Sequence, residues 1–236
     1  LGDEKTLPAI VSLLLEVKDR QHRDRLETTY LQIAKQYDNT VEPILAAMSD
    51  EAATVALLPV LGRMGGKAAE TRIEKALSSA NGELRAAGIR ALCNWPDASL
   101  AEKLAGLAKE EKDQAVRISA LRAYIRVVSL DSDRPDAKTL QMLQWAFGVA
   151  ERAEEKNLVA DRVSTVRTVE TLRWLVKLLD DNDVAQEACR SIVDLAHHRD
   201  LRNPNRDEFV KALRRVVEVS KDPSTVSLAK GYIEGV

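Results

Sequence analysis

Aromatic side chains are scarce in this sequence: Phe, Tyr and Trp together make up 4% of the 236 residues, although 45% are hydrophobic. The core must therefore be assembled from Ala, Leu, Val and Ile, of which Ala and Leu are the strong helix formers. Only ten glycines and seven prolines are present, too few for the many turns of a sandwich or barrel, and alternating β-rich runs are missing. These absences leave an all-α chain. The two cysteines, Cys93 and Cys189, sit inside apolar helical patterns 96 positions apart. They read as buried thiols acting as small hydrophobes, not as a disulfide framework.

Other shortages narrow the function. No apolar run approaches the ~20 residues of a membrane span. The net charge is only −2, so nothing global favours nucleic acid or an anionic membrane. The balance along the chain is uneven: residues 1–60 carry 6 basic and 10 acidic side chains, residues 61–130 carry 12 and 8, and the remainder carries 17 and 19. Histidine occurs only at positions 22, 197 and 198, near the two ends, which leaves no Ser-His-Asp or Cys-His constellation to infer.

What the sequence does have is self-similarity. "LRAAGIRAL" (84–92) aligns with "VRISALRAY" (116–124), and "ATVALLPVL" (53–61), "LVADRVSTV" (158–166) and "VAQEACRSI" (184–192) join at lower fidelity. The steps between copies are 31, 32, 42 and 26 residues, a mean near thirty-three, which is the length of one helical hairpin. Seven companion segments, at 6–17, 40–48, 67–77, 99–110, 136–150, 168–179 and 206–219, space their apolar residues by three and four, as first helices of such hairpins would. One hairpin cannot cover its own apolar faces, so neighbours must stack. The expectation is a single solenoid over residues 1–236, with an insertion loop in "SLDSDRPD" (129–136).

Punctuation supports the pattern. Thr6 with Pro8, Asp97 after Pro96, Thr168, and Asp222 with Pro223 are predicted helix starts, and Gly62, Gly65 and Gly66 predicted stops. Pro59 falls inside the first copy of the repeat and predicts a bend near 55–59 or a delayed helix start. The opening "LGDEKTLPAIVSLL" parallels the internal "LGRMGGKAAETRIEKAL". That parallel leads to the expectation that the chain begins at the last turn of a hairpin, with the face around Leu7, Ile10 and Leu14 left uncovered.

On the segments "GELRAAGIRAL" and "QAVRISALRAY", with the pattern V/L-R-x-x-A-L/I-x-A, the chain resembles the HEAT-like, armadillo-related repeats over essentially its whole length. The resemblance is closest to HEAT modules of large multidomain bacterial proteins. It implies a right-handed α-solenoid of about seven hairpins, an exported or periplasmic setting, and a fragment of a longer chain. It says little about activity.

Arg90, Arg122 and Arg190 occupy one register in three aligned second helices. With Val116 at 0°, Ala120, Ala123 and Val127 cluster near the core direction while Arg122 points away from it. The resemblance puts second helices on the concave surface, where the three arginines would form a ladder suited to carboxylates or phosphates. They would serve equally to pair with neighbouring glutamates and solvate the face. Arg85 and Arg117 lie nearer the core edge and read as ties between repeats.

Other motifs have plainer readings. Asn94-Trp95-Pro96-Asp97 reads as an inter-repeat turn with the indole plugging the hairpin end, and Trp145 and Trp174 as core. Asp194, His197 and His198 form a D-x-x-H-H cluster, but further metal ligands are not identifiable. "GRMGGK" (62–67) lacks the Ser or Thr and the preceding strand of a phosphate loop.

The sequence therefore predicts a monomeric, non-enzymatic scaffold without cofactor or metal. Its concave face would bind a protein or a neighbouring domain of its own chain, and neither nucleic acid nor membrane. Since some HEAT-like folds act as DNA glycosylases or bilin lyases, the resemblance also allows an enzymatic or nucleic-acid-processing module. A pure spacer between domains is a third possibility.

Overall fold

Apolar spacing becomes helix almost segment by segment. A computed structural model describes residues 3–37 and 40–235, and among these it contains fifteen α-helices, two short 3-10 turns and no strand. The chain divides into two compact units, Leu1–Leu104 and Ala105–Val236. Leu1 and Gly2, on which the reading of a cut hairpin rested, lie outside the described residues.

The N-terminal unit contains α1 (Leu7–Glu16), α2 (Arg20–Ala34), α3 (Glu42–Ala47), α4 (Glu51–Met64), α5 (Lys67–Leu77) and α6 (Gly82–Cys93), and the division falls inside α7 (Ala101–Glu110), whose residues from Ala105 on belong to the C-terminal unit. Neighbours pair, as α1 with α2 and α5 with α6, and helices two apart also touch, as α2 with α4 and α4 with α6. Leu57, Leu58, Leu61, Ile73 and Leu92 are fully buried between them. Leu7, Ile10 and Leu14 are buried too, against the expectation of an uncovered first repeat. They face into contacts with α2, α3 and α4, and the large hydrophobic residues that α1 exposes are Leu13 and Leu15.

Small residues set the close approaches here. Gly62 was expected to end a helix, but it lies buried inside α4, which continues to Met64. A Cβ at position 62 would overlap the backbone carbonyl of Ala91 and stand 2.7 Å from its Cα, so glycine is what lets α4 lie directly on α6. The stop falls at Gly65, whose φ of 74° suits glycine alone, followed by Gly66. Pro59 neither delays nor ends α4, which starts at Glu51 and runs through it. The proline lacks the N–H that would reach the carbonyl of Val55. Next to that gap, the guanidinium of Arg23 on α2 donates to the carbonyl of Ala56, and to the carbonyl of Leu14 at 2.8 Å.

Helix starts follow side-chain chemistry. Asn81 accepts the Glu83 amide at 2.8 Å, Asp97 that of Ser99 at 2.8 Å, Asp113 that of Ala115 at 2.8 Å, and Thr168 that of Thr171 at 3.2 Å. Asp222 accepts from Ser224 and Thr225, whose hydroxyls hold its carboxyl well below the usual carboxylate range. Thr6 does not cap α1. It already has helical dihedrals at the end of a 3-10 turn, and its hydroxyl turns back to the carbonyl of Asp3.

The C-terminal unit holds α8 (Gln114–Val128), α9 (Asp136–Val149), α10 (Ala153–Val163), α11 (Val169–Leu178), α12 (Ala185–His197), α13 (Arg199–Arg202), α14 (Arg206–Val219) and α15 (Pro223–Glu234). Adjacent helices pair again, α8 with α9, α11 with α12 and α14 with α15, while α8, α10 and α12 touch in sequence. Residues 129–135 connect α8 to α9. Ile125, Leu143, Val159, Ile192, Phe209 and Leu213 are fully buried. No helix among the described residues is long and apolar enough to cross a membrane.

Candidate functional site

Arg90, Arg122 and Arg190 are all exposed at the surfaces of their helices, with Ala120, Ala123 and Val127 buried behind Arg122 as the helical wheel requires. Their surroundings differ. Arg90, on α6 of the N-terminal unit, makes no ion pair among the described residues. Arg190 is tied to Glu187 one turn earlier on α12, and the fields of Glu187, Asp222 and Asp161 raise its pKa further after that hydrogen bond. Arg122 enters a three-residue network. Its Nε donates to Glu155 Oε1 at 2.8 Å, and Arg152 closes on the same carboxylate with Nε to Oε2 and Nη2 to Oε1, both at 2.8 Å.

The Glu155 carboxylate is only 2% exposed, while Arg122 remains half exposed. Burial alone would raise a carboxyl pKa, but the hydrogen bonds from Arg152, and then those from Arg122, reverse this and hold Glu155 below the usual range. Arg152 Nε also lies 3.7 Å from Glu154 Oε2, so the two guanidinium groups face two carboxylates. The rungs of the expected ladder are therefore unequal: Arg122 and Arg190 are paired with carboxylates of the chain, whereas Arg90 makes no ion pair among the described residues.

The same device recurs. Glu27, buried on α2, meets Arg23 Nε at 3.2 Å on its own helix and Arg63 Nη1 at 3.2 Å from α4. Glu70 on α5 accepts from Lys67 and from Lys103 of α7, both at 2.9 Å. Each carboxylate takes one cation from its own helix end and one from 33 to 36 positions away. Arg117 keeps to this stride with Glu151 at 3.5 Å, as a tie between repeats should. Arg173 with Glu208 and Arg215 with Asp180 both lie 35 apart. Apart from Arg117 and Arg122, the residues of these clasps do not stand out when charge is considered one helix at a time. Opposite charges one repeat length apart were the available signal.

Beside the Glu155 network lies a cleft of about 260 Å³ lined by Lys109, Gln114, Arg117, Ile118 and Arg152. A larger groove of about 630 Å³ runs between the 129–135 connection and the ends of α10 and α12, with Arg134, Arg167, Asp194, His197 and His198 on its walls. The D-x-x-H-H residues thus share a groove. His197 Nδ1 lies 3.0 Å from the Tyr232 hydroxyl, and no group of three or more metal-ligating side chains occurs among the described residues.

The aromatics act as packing. Trp95 is buried, its Nε1 donating to Ser99 Oγ at 2.8 Å and Asp97 Oδ1 at 3.1 Å. Trp145 meets Tyr124 edge-on at 4.9 Å, and Trp174 meets Phe147 at 5.3 Å.

No protein-family model matches the chain, and no curated protein matches it in sequence. Among solved structures, the crystal structure of an engineered protein is similar at 21% identity and a TM-score of 0.44, over 97% of this chain and 67% of that one.

Proposed function

We propose that the chain is a right-handed α-solenoid of about seven HEAT-like hairpins. In this reading it performs no chemistry of its own and works as a scaffold, its concave face holding another protein or a neighbouring domain of the same chain. The observation that carries the reading is the fixed stride of the polar clasps. Glu27 with Arg63, Glu70 with Lys103, Arg122 with Glu155 and Arg173 with Glu208 all join residues 33 to 36 apart. A stacked repeat protein is held together in this way, each unit fastened to the next, and its extended surface is what such a chain offers to partners.

Arg90, Arg122 and Arg190 form the partner-facing register, with Arg90 contributing most because its charge has no ion-pair partner among the described residues. The test is a photo-reactive side chain placed at position 90 or 122 in cells, followed by purification of the captured protein. That protein should bind the wild-type chain and bind the Arg90→Ala, Arg122→Ala, Arg190→Ala triple variant at least about tenfold more weakly, as loss of anchoring arginines does. Unchanged affinity removes these arginines from the interface.

A further inference from the structure

At the far end of the C-terminal unit, three arginines line one pocket, and no side-chain carboxylate is among its described lining residues. Arg199 and Arg202 of α13 and Arg206 at the start of α14 line a pocket of about 340 Å³, together with Asn203 and Tyr232. None of the three forms an ion pair among the described residues, in contrast to the arginines of the clasps. A cluster of three cations is self-repelling, and it gains most from an anion carrying more than one charge.

Arg202 gives the pocket its chemistry. The residue is only 8% exposed, yet it carries a permanent charge. Its Nη1 donates to the Ala196 carbonyl at 2.6 Å, and its guanidinium lies 4.9 Å from the centre of the Tyr232 ring. The Tyr232 hydroxyl is held in turn by His197. The guanidinium plane is thus fixed from two sides. Its Nε and Nη2 hydrogen-bond no protein atom, and no fully buried side-chain nitrogen lacks a partner among the described residues. These two donors therefore keep some contact with solvent, on a residue that lines the pocket. Two parallel N–H groups on a fixed, largely desolvated fork match the oxygens of a phosphate group. Arg199 and Arg206 stand exposed on the rim, and the Asn203 side chain adds a neutral donor.

We propose that this pocket binds a phosphate monoester or a related doubly charged phosphate group, with Arg202 as the bidentate anchor and Arg199 and Arg206 as flanking charges. It is separate from the partner-facing arginines, so either assignment can fail without the other.

The experiment is calorimetric titration of the intact chain with inorganic phosphate and with pyrophosphate, at constant ionic strength in chloride. Both should bind saturably, and the exposed pair Arg199→Ala/Arg206→Ala should weaken binding at least about tenfold, the loss expected for charge-assisted contacts. Arg202→Lys, which keeps the charge and loses the fork, should weaken it as well, with helical content unchanged by circular dichroism. Arg214→Ala, exposed on α14 and outside the pocket, should leave it unaltered. Absence of saturable binding of both probes below about 10 mM, the weak end of specific recognition, overturns the proposal. So does an equal loss in Arg214→Ala, or tighter binding of malonate than of phosphate.

Discussion

The carboxylate of Glu155 is held by Arg122, 33 positions earlier on α8, and by Arg152, one turn before it, with all three of the hydrogen bonds named above at 2.8 Å. One buried acid thereby joins α8 to the start of α10.

Glu155→Gln should destabilise the chain by about 1–3 kcal/mol, since the amide keeps the shape but leaves two guanidinium groups without their charge partner. A carboxyl whose pKa is lowered by folding adds stability that is complete above the ordinary glutamate range and is lost as pH falls through the lowered value. The wild type should therefore lose this increment on acidification below about pH 4, and the variant should lose less over the same interval. Urea midpoints at pH 7 and pH 3.5 measure both effects. Equal midpoints for the two proteins at pH 7 would show that the network contributes nothing.

Gly62→Ala should cost about 1–3 kcal/mol, because its Cβ has no space against the Ala91 backbone and α4 must move off α6. Gly106→Ala on α7 meets nothing within 4 Å and should stabilise by up to about 1 kcal/mol. Thermal melts of the two variants should shift in opposite directions. A shift of the same sign in both would contradict the close approach at position 62.

Asp113→Ala removes the acceptor for the Ala115 and Val116 amides at the start of α8, and should cost about 1 kcal/mol. Asp113→Asn should retain most of that. Chemical denaturation of the three proteins distinguishes capping from a general charge effect, which would make both variants equally weak.

The Cys189 thiol is buried, and that burial pushes its pKa up to about 11. At neutral pH it should resist alkylation by iodoacetamide until the chain unfolds, while the half-buried Cys93 reacts sooner. Mass spectrometry of tryptic peptides after timed labelling reads the order directly. Faster modification of Cys189 in the folded chain would overturn the assignment.

The first helices were legible because their apolar residues recur at helical spacing, as in α5 and α11, and because Asp97 and Thr168 announce starts among them. The helix α2 escaped notice because "RDRLETTYLQIA" spreads few apolar residues among charges. Its burial depends on Tyr30 and Ile33 together with the paired Glu27, and pairing is not a property of one segment. The copy at 158–166 was recognised but reaches beyond α10, which ends at Val163. Gly62 was misread for a related reason. A glycine near a helix end and a glycine under a crossing helix look alike until the second helix is in place. The candidate arginines are exposed on their helices, as the helical wheel predicts for Arg122. Their pairing differs, Arg122 with Glu155 33 positions away, Arg190 with Glu187 one turn earlier and Arg90 with no ion pair among the described residues, and a helical wheel does not show the first of these.

The common stride of the clasps bears on how the molecule comes apart. In the C-terminal unit, Arg122 reaches Glu155, Ser191 reaches Ala160 and Gln186 reaches Val219, spans of 33, 31 and 33 residues. A network with such short reach has no long girder, and local opening propagates from one link to the next. Amide exchange in this unit should therefore rise in steps along the chain, with the terminal helix fraying while the middle stays protected, much as a zipper loosens from its end.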